Sequence, residues 1–170
     1  MGLSVVVPVY NEKNAIEPTV TELMGILKSL GDKCELILVN DGSSDGTEIT
    51  LPEVADTHAD PTVPIRVVNH PKNRGYGASL KSGINSALFE TICITDADAT
   101  YPNHRIPELL ELYRSGYQMV VGQRSFKKLP LVTRPAKWFL NKLANFLVGK
   151  RIPDINSGLR IFDRTLAQQF

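Results

Sequence analysis

Two carboxylates, Asp96 and Asp98, lie one residue apart directly after an apolar run from 91 to 95 that predicts a buried strand. Ligands of open α/β sheets bind outside the carboxyl ends of the strands. Two carboxylates at such an edge repel each other unless a cation lies between them, and hard divalent cations prefer oxygen ligands. The pair therefore predicts a site for Mg²⁺ or Mn²⁺, shared with substrate phosphates. A solvated acidic turn is the alternative, because Asp-x-Asp alone is a weak signal.

Polar side chains also follow two other predicted strands, at 3–7 and 35–39. Tyr10 and Glu12 follow the first strand, where a tyrosine can stack on a base and a glutamate can accept hydrogen bonds from a ribose diol. The alternative for this loop is a helix cap formed by its own polar residues. Asp41 follows the second strand, where its carboxylate could accept the ring N–H of uracil or guanine.

A loop with two glycines, 73–77, follows a predicted strand at 64–69 and opens a helix. Gly75 and Gly77 would let the backbone approach a phosphate or a sugar at the helix N terminus. The glycine spacing differs from the dinucleotide-binding fingerprint, and the loop does not follow the first strand, so that class of site is excluded. We therefore expect Gly75 to contribute to nucleotide binding.

The cysteines and histidines give no sign of a disulfide or a metal centre. Cys34 and Cys93 fall in predicted strands, which is typical of small buried hydrophobic residues in a reducing compartment. The histidines lack a partner pattern, and we expect no functional role for them: His58, His70 and His104.

Predicted strands alternate with predicted helices, which favours an α/β fold with an open, mainly parallel sheet flanked by helices. The length of 170 residues suits one domain with a substantial core. We place a nucleotide-binding half at 1–98 and an acceptor-binding half at 99–170. The predicted strands lie at 3–7, 35–39, 64–69, 91–95 and 117–121, and two of the predicted helices lie at 47–56 and 102–114.

Five motifs, taken in order, resemble the family 2 glycosyltransferases of GT-A fold, and among them the dolichyl- or polyprenyl-phosphate hexose synthases. The resemblance covers nearly the whole chain. The motifs are Val7-Pro8-Val9-Tyr10-Asn11-Glu12, Val39-Asn40-Asp41-Gly42-Ser43-Ser44-Asp45-Gly46-Thr47, Asn73-Arg74-Gly75-Tyr76-Gly77, Asp96-Ala97-Asp98 and Asp154-Ile155-Asn156-Ser157-Gly158-Leu159-Arg160.

The resemblance implies an inverting transfer of a sugar from a nucleotide-sugar, with Mg²⁺ or Mn²⁺ on the diphosphate. It implies that the metal and the diphosphate bind at Asp96 and Asp98, and that Asp154 occupies the position of the catalytic base. One position departs from the lipid-phosphate branch, which often has Gln where this chain has Thr100. The resemblance also assigns the nucleoside to Pro8, Tyr10, Glu12 and Asp41.

The positive charge of the chain is concentrated in one region. The formal net charge is only +1, but nine of the 19 lysines and arginines lie between 112 and 153, where no Asp or Glu occurs. Within that region, 135–149 predicts an aromatic, basic, amphipathic helix suited to a membrane interface. The alternative is a packed core helix with a solvated edge. Nucleic acid binding is not expected, since no recognised module is present and the remaining chain is acidic.

The excess of cations favours a lipid phosphate as the acceptor. A monophosphate has a second pKa of about 6, so its oxygen is already nucleophilic at neutral pH and needs cationic clamps more than a base. We expect Arg124 and Arg134 to bind this phosphate, with Ser157 and Arg160 beside them. A sugar hydroxyl would instead need a general base, and Asp154 is the candidate.

Three functional hypotheses follow. The first is transfer of a hexose from a UDP- or GDP-sugar to a polyprenyl phosphate, with Asp154, Asp98 and Arg124 as catalytic residues, at the cytoplasmic face of a membrane. The second is a glycosyltransferase with a hydroxyl acceptor, and the third is a nucleotide-sugar-binding peripheral membrane module without turnover. No apolar run reaches 18 residues, so no spanning helix is expected. We also expect that the chain is truncated at its C terminus. The sequence leaves open the nucleobase of the donor, the identity of the sugar and whether the chain forms a homo-oligomer.

Overall fold

The fold is an α/β sheet with helices on both faces, described by a computed structural model over residues 2–122 and 157–167. The elements in chain order are β1 (Gly2–Val9), α1 (Ile16–Ser29), β2 (Lys33–Asn40), α2 (Thr47–Thr57), β3 (Ile65–Asn69), α3 (Tyr76–Ser86), β4 (Thr91–Ile94), a 3-10 turn (Asn103–Arg105), α4 (Ile106–Arg114), β5 (Met119–Val121), β6 (Arg160–Asp163) and α5 (Arg164–Ala167).

Within these residues the strands form one sheet in the order β3-β2-β1-β4-β6-β5. The first four strands are parallel, and β6 runs antiparallel to both β4 and β5. The predicted open, mainly parallel sheet is confirmed. Strand β6 was not predicted, because its four residues have polar ends and only Ile161 and Phe162 are buried in the middle.

The apolar runs of β1 and β2 form the centre of the core because both faces of these strands are covered. Side chains alternate along β1: Val5 and Val7 join a cluster that contains Leu23 of α1 and Ile106 of α4, while Val6 joins the cluster around α3. Both cysteines are buried and unpaired in β2 and β4, as predicted.

Several element boundaries differ from prediction. The helix expected at 102–114 consists of a 3-10 turn followed by α4, and β5 begins at Met119, with Tyr117 exposed ahead of it. The apolar spacing of Leu80, Ile84 and Leu88 predicts a helix that reaches Leu88. In the structure α3 ends at Ser86, and Leu88 is exposed. The backbone N–H of Leu88 donates to Glu35 at 2.6 Å, which draws the chain out of the helix and towards β4.

Glu35 forms a buried polar clasp at the end of the sheet opposite the carboxyl edge of the parallel strands. Its carboxylate accepts hydrogen bonds from the Ser4 hydroxyl at 2.5 Å, Arg66 Nη2 at 2.7 Å and the N–H of Leu88. The side chain of Glu35 has no solvent exposure. The clasp therefore joins β1, β2, β3 and the α3–β4 connection while leaving the other edge open for ligands.

Candidate functional site

A cavity of about 300 Å³ opens at the carboxyl edge of β1, β2 and β4, beside the start of α3. It brings together the whole set of residues that the sequence assigned to nucleotide and metal binding. The cavity lining includes Pro8, Tyr10, Glu12, Asp41, Gly75, Asp96 and Asp98.

One wall of the cavity is built by two interlocked loops. The N–H of Asn11 donates to Ser43 Oγ at 3.0 Å, and the side-chain oxygen of Asn11 accepts the N–H of Ser44 at 2.9 Å. Asn11 adopts a positive φ of 55°, and it ties the β1–α1 loop to the β2–α2 loop. Asn11 is therefore not a cap of α1, and Tyr10 remains 46% exposed at the cavity mouth.

Asp41 lies at the back of the cavity as a buried, ionised carboxylate. Its Oδ1 accepts hydrogen bonds from His70 Nδ1 at 2.6 Å and from the N–H of Arg74 at 3.0 Å, and its Oδ2 accepts the N–H of Gly75 at 2.8 Å. Burial alone would raise the pKa of Asp41, but the bonds from His70, Arg74, Gly75 and Ser79 outweigh burial and lower it. The carboxylate thereby also fixes the backbone at the start of α3.

His70 is a buried member of this site, which corrects the expectation that the histidines have no partner. Its second ring nitrogen, Nε2, lies 2.9 Å from Ser82 Oγ on α3. A signal for this contact was present in the sequence. Asp41 and His70 each directly follow adjacent strands, β2 and β3, and Asn40 pairs with Asn69 in the sheet register. Residues that follow paired positions of parallel strands lie side by side.

The two carboxylates after β4 have different partners. Asp96 accepts a hydrogen bond from the Tyr76 hydroxyl at 3.0 Å. Asp98 Oδ1 accepts the N–H of Thr100 at 3.0 Å and its hydroxyl at 2.7 Å, across Ala99, which has a positive φ of 55°. Thr100 therefore orients Asp98 where the lipid-phosphate branch often has Gln. The same Asp-x-Thr bonding recurs at Asp45–Thr47, Asp60–Thr62 and Asp163–Thr165.

Buried polar side chains, which the sequence did not predict, hold the Asp-Ala-Asp loop in place through hydrogen bonds. Thr19 of α1 donates to the carbonyl of Ala97 at 3.0 Å. Thr95 donates to Asn103 at 2.7 Å, and the Asn103 amide donates to Glu22 of α1 at 2.9 Å. Helical periodicity gave no signal for these residues, because their function depends on the spatial neighbour across α1.

The electrostatics of the cavity suit a cation. Burial and then the negative charges of Asp98, Asp45 and Asp96 raise the pKa of Glu12. Such mutual repulsion is relieved when a divalent cation binds. Within residues 2–122 and 157–167, no group of three or more His, Cys, Asp or Glu side chains forms a complete cage. Asp96 and Asp98, which both line the cavity, are a pair of carboxylates of the kind that can hold a divalent cation together with substrate phosphates.

The Ser157-Gly158 segment packs against this acidic loop. The N–H of Gly158 donates to the Tyr101 hydroxyl at 2.6 Å, and Arg160 Nε donates to the carbonyl of Ser157 at 2.6 Å. Ser157 is fully buried, and its hydroxyl donates to the carbonyl of Gly122. The Ser157 side chain thus supports the loop and is not free to bind an acceptor phosphate in this structure, which differs from the prediction.

Tyr76 donates a hydrogen bond to Asp96, and the positive charge of Arg160 acts on the same tyrosine. Tyr76 is half exposed, but partial desolvation of its hydroxyl and the negative charge of Asp96 raise its pKa, and the positive charge of Arg160 opposes that shift. Tyr76 therefore stays a neutral donor to Asp96, with Arg160 nearby. The other predicted acceptor and catalytic positions, Arg124, Arg134 and Asp154, and the predicted helix at 135–149, lie outside the described residues.

The chain matches a known protein family and several curated proteins. Residues 4–170 match the family model described as glycosyl transferase family 2. The chain is 31% identical over 163 residues to an undecaprenyl-phosphate 4-deoxy-4-formamido-L-arabinose transferase of Pectobacterium carotovorum, covering 96% of this chain and 49% of that protein. It is 30% identical to a dodecaprenyl-phosphate galacturonate synthase of Rhizobium johnstonii, covering 99% and 50%. The chain thus spans about half the length of the curated relatives it matches.

A solved structure shows the same fold. The mannosyltransferase PcManGT from Pyrobaculum calidifontis, in complex with GDP-Man and Mn²⁺, has a TM-score of 0.72 and 24% identity, covering 98% of this chain and 46% of that one. The fold expected from the motifs is confirmed. In the part of the chain that the structure describes, none of the helices combines the length and apolar character needed to cross a bilayer.

Proposed function

Because this chain belongs to glycosyl transferase family 2, we propose that it transfers a hexose from a UDP- or GDP-sugar to a polyprenyl phosphate with inversion at the anomeric carbon. The observation that carries the proposal is the convergence of Tyr10, Glu12, Asp41 and the Asp96–Asp98 pair on one cavity. A nucleotide-sugar needs contacts for a base, a ribose and a diphosphate. Tyr10 and Asp41 can contact the base, Glu12 the ribose, and the Asp96–Asp98 pair the diphosphate through a metal.

The donor nucleotide would bind with its base against Asp41 and its ribose near Glu12. Asp41 is ionised and fixed, so it can accept a ring N–H, and the exposed ring of Tyr10 at the cavity mouth offers a stacking surface. Gly75 brings backbone close to the same space at the start of α3. Pro8, the last residue but one of β1, also lines the cavity.

Asp96 and Asp98 would hold a divalent metal together with the diphosphate. Bound there, Mg²⁺ or Mn²⁺ would neutralise the charge that develops on the leaving nucleoside diphosphate. The chain's own contribution is orientation. Tyr76 fixes Asp96, Thr100 fixes Asp98, and Thr19 holds the loop between them.

A lipid phosphate is the acceptor that fits the relatives and the charge of the chain. One of its oxygens would form a bond to the anomeric carbon as the bond from that carbon to the donor diphosphate breaks. Such an acceptor arrives already ionised, so we assign Arg124, Arg134 and Arg160 to binding its charge. Asp154 would position groups in that reaction, whereas with a hydroxyl acceptor it would act as the base.

The same proposal places the enzyme at a membrane surface. A polyprenyl acceptor is held in a bilayer, and the basic, aromatic segment at 135–149 has the composition of an interfacial helix. We assign this contact to the cytoplasmic face, where nucleotide-sugars are available to a donor site of this kind.

The test begins with calorimetric titration of UDP and GDP, each with and without Mn²⁺. We expect Mn²⁺-dependent binding of one nucleotide and a loss of about tenfold or more in affinity in Asp98→Asn. The matched control is Asp60→Asn, because Asp60 makes the same bonds to Thr62 but lies outside the cavity. Equal weakening in both variants would contradict the site.

The second step measures transfer from the preferred UDP- or GDP-hexose to undecaprenyl phosphate in detergent. We expect a lipid-linked sugar product that Asp98→Asn abolishes. Nucleotide binding without lipid product, but with transfer to a sugar hydroxyl, would instead support the hydroxyl-acceptor hypothesis. Binding without any transfer or donor hydrolysis would support a binding module.

A further inference from the structure

We propose that His70 is a positioning residue of the donor site, which fixes the Asp41 carboxylate and thereby sets how strongly the cavity distinguishes one nucleobase from another. The proposal rests on the proposed function, since it concerns the base end of the same cavity. The evidence for it is the Asp41–His70–Ser82 hydrogen-bond chain.

The backbone brings His70 and Asp41 together before their side chains interact. The N–H of His70 donates to the carbonyl of Asn40 at 2.9 Å, and the Asn40 amide donates to the Asn69 side chain at 3.1 Å. The N–H of Asp41 in turn donates to the carbonyl of Val9 at 2.8 Å. The ends of β1, β2 and β3 are therefore joined, and the His70–Asp41 pair has little freedom to separate.

The hydrogen-bond partners determine which ring nitrogen carries the proton. An ionised carboxylate can only accept, so His70 Nδ1 must donate its N–H to Asp41 Oδ1. In the neutral ring Nε2 is then an acceptor, and the Ser82 hydroxyl at 2.9 Å is its donor. Ser82 thus holds the far side of the ring, and the orientation of the imidazole is fixed from both ends.

Fixing Asp41 matters because both of its oxygens organise the cavity wall. Oδ1 is shared between His70 and the N–H of Arg74, while Oδ2 accepts the N–H of Gly75. Without the bond from His70, the N–H groups of Arg74 and Gly75 would still hold the carboxylate, but on the α3 side alone, so it would present a less fixed acceptor to a ligand. A ring N–H of a base needs such a fixed partner, whereas a diphosphate that binds at Asp96 and Asp98 does not.

Two variants of similar polarity separate the bond from His70 to Asp41 from a general contribution of His70 to stability. The amide N–H of His70→Asn falls near the place of Nδ1 and can still donate to Asp41. The amide of His70→Gln falls near the place of Nε2 and faces Ser82. Both remove the ring from a buried position, so a role limited to general stability would affect both alike.

The preferred nucleotide is whichever of UDP and GDP the wild type binds more tightly. The measurement is the dissociation constant of ADP divided by that of the preferred nucleotide, both in the presence of Mn²⁺. ADP shares the ribose and diphosphate and so reports the part of the site that His70 does not touch. We expect His70→Gln to lower the ratio about tenfold through weaker binding of the preferred nucleotide. We expect His70→Asn to stay within about threefold of wild type, and Ser82→Ala to lie between them.

The possible results are distinct. Equal ratios in wild type and His70→Gln, or an equal fall in His70→Asn and His70→Gln, would overturn the positioning role while leaving the donor site intact. If wild type binds no nucleotide, or if Asp41→Asn leaves the base preference unchanged, the proposed base contact fails and this inference fails with it. Thermal unfolding of each variant confirms that the chain tested is folded.

Discussion

A Cβ atom on Gly158 would lie 2.6 Å from Oδ2 of Asp96, closer than any side chain can be placed without displacing the carboxylate. The Asn-Ser-Gly motif therefore has a steric reason to contain glycine at this position. The contact joins the segment after β5 to the acidic loop after β4, so the donor side of the cavity depends on residues more than 60 positions away along the chain.

Gly158→Ala is expected to weaken Mn²⁺-dependent nucleotide binding about tenfold, because the added methyl group must push Asp96 out of place. Calorimetric titration with the preferred nucleotide measures the effect. The control is Gly25→Ala in α1, where an added Cβ meets nothing within 4 Å and alanine favours the helix. Unchanged binding in Gly158→Ala would show that Asp96 does not depend on this contact.

Thr100→Val is expected to reduce Mn²⁺-dependent nucleotide affinity about threefold to tenfold, because Asp98 loses the hydroxyl bond that orients it. The side chain keeps its shape, so folding should be little affected. Thr62→Val removes the same kind of bond from Asp60, outside the cavity, and provides the control. The prediction fails if both variants bind the nucleotide as tightly as wild type does.

The sequence predicts best the positions of residues that lie close behind the ends of strands. Asp41, Asp96 and Asp98 were placed at the correct edge because the alternation of strands and helices determines where strand ends meet. His70 obeys the same rule, but the prediction of no role for it was wrong, because only the pairing of β2 with β3 brings it beside its partner. Its partner Asp41 lies 29 residues earlier.

Residues that act from a distance were harder to predict. Thr19 lies on the buried face of α1 and donates to the carbonyl of Ala97. The helical pattern predicts that Thr19 is buried, but it does not predict this hydrogen bond. The sequence predicts Ser157 beside the acceptor phosphate, but in the structure its hydroxyl donates to the carbonyl of Gly122. The direction of a side chain in a loop depends on tertiary contacts, and the spacing of apolar residues along the chain does not predict these contacts.

The contribution of Asp41 to stability is expected to depend on pH. Its pKa in the folded chain lies below the ordinary value of 3.8, so its hydrogen bonds stabilise the folded state above that value. This stabilisation is lost as the pH falls from the ordinary carboxyl pKa through the lowered folded value. Asp41→Asn should therefore be less stable than wild type by about 1–3 kcal/mol at pH 7, with a smaller difference near pH 3.

Urea unfolding of wild type and Asp41→Asn at several pH values measures this difference. Comparing the two chains at each pH removes the effect of the other carboxyl groups, several of which also titrate in acid. A free-energy difference that stays constant between pH 7 and pH 3 would mean that ionisation of Asp41 contributes nothing to folding.

Glu35→Ala is expected to destabilise the chain by about 3 kcal/mol without altering nucleotide affinity. The substitution leaves the N–H of Leu88 and the Ser4 hydroxyl without their acceptor and separates Arg66 from its buried partner. Arg66 is 38% exposed and can turn towards water, which keeps the loss at the lower end of the range for broken buried pairs.

Urea unfolding gives the stability and calorimetry gives the affinity of the same Glu35→Ala sample. Glu111→Ala is the control, because Glu111 pairs with Arg114 at the surface and is 73% exposed, so its loss should cost less than about 1 kcal/mol. Because the clasp and the cavity lie at opposite ends of the parallel strands, a change in nucleotide affinity in folded Glu35→Ala would contradict their independence. Similar losses of stability in both variants would contradict the buried clasp itself.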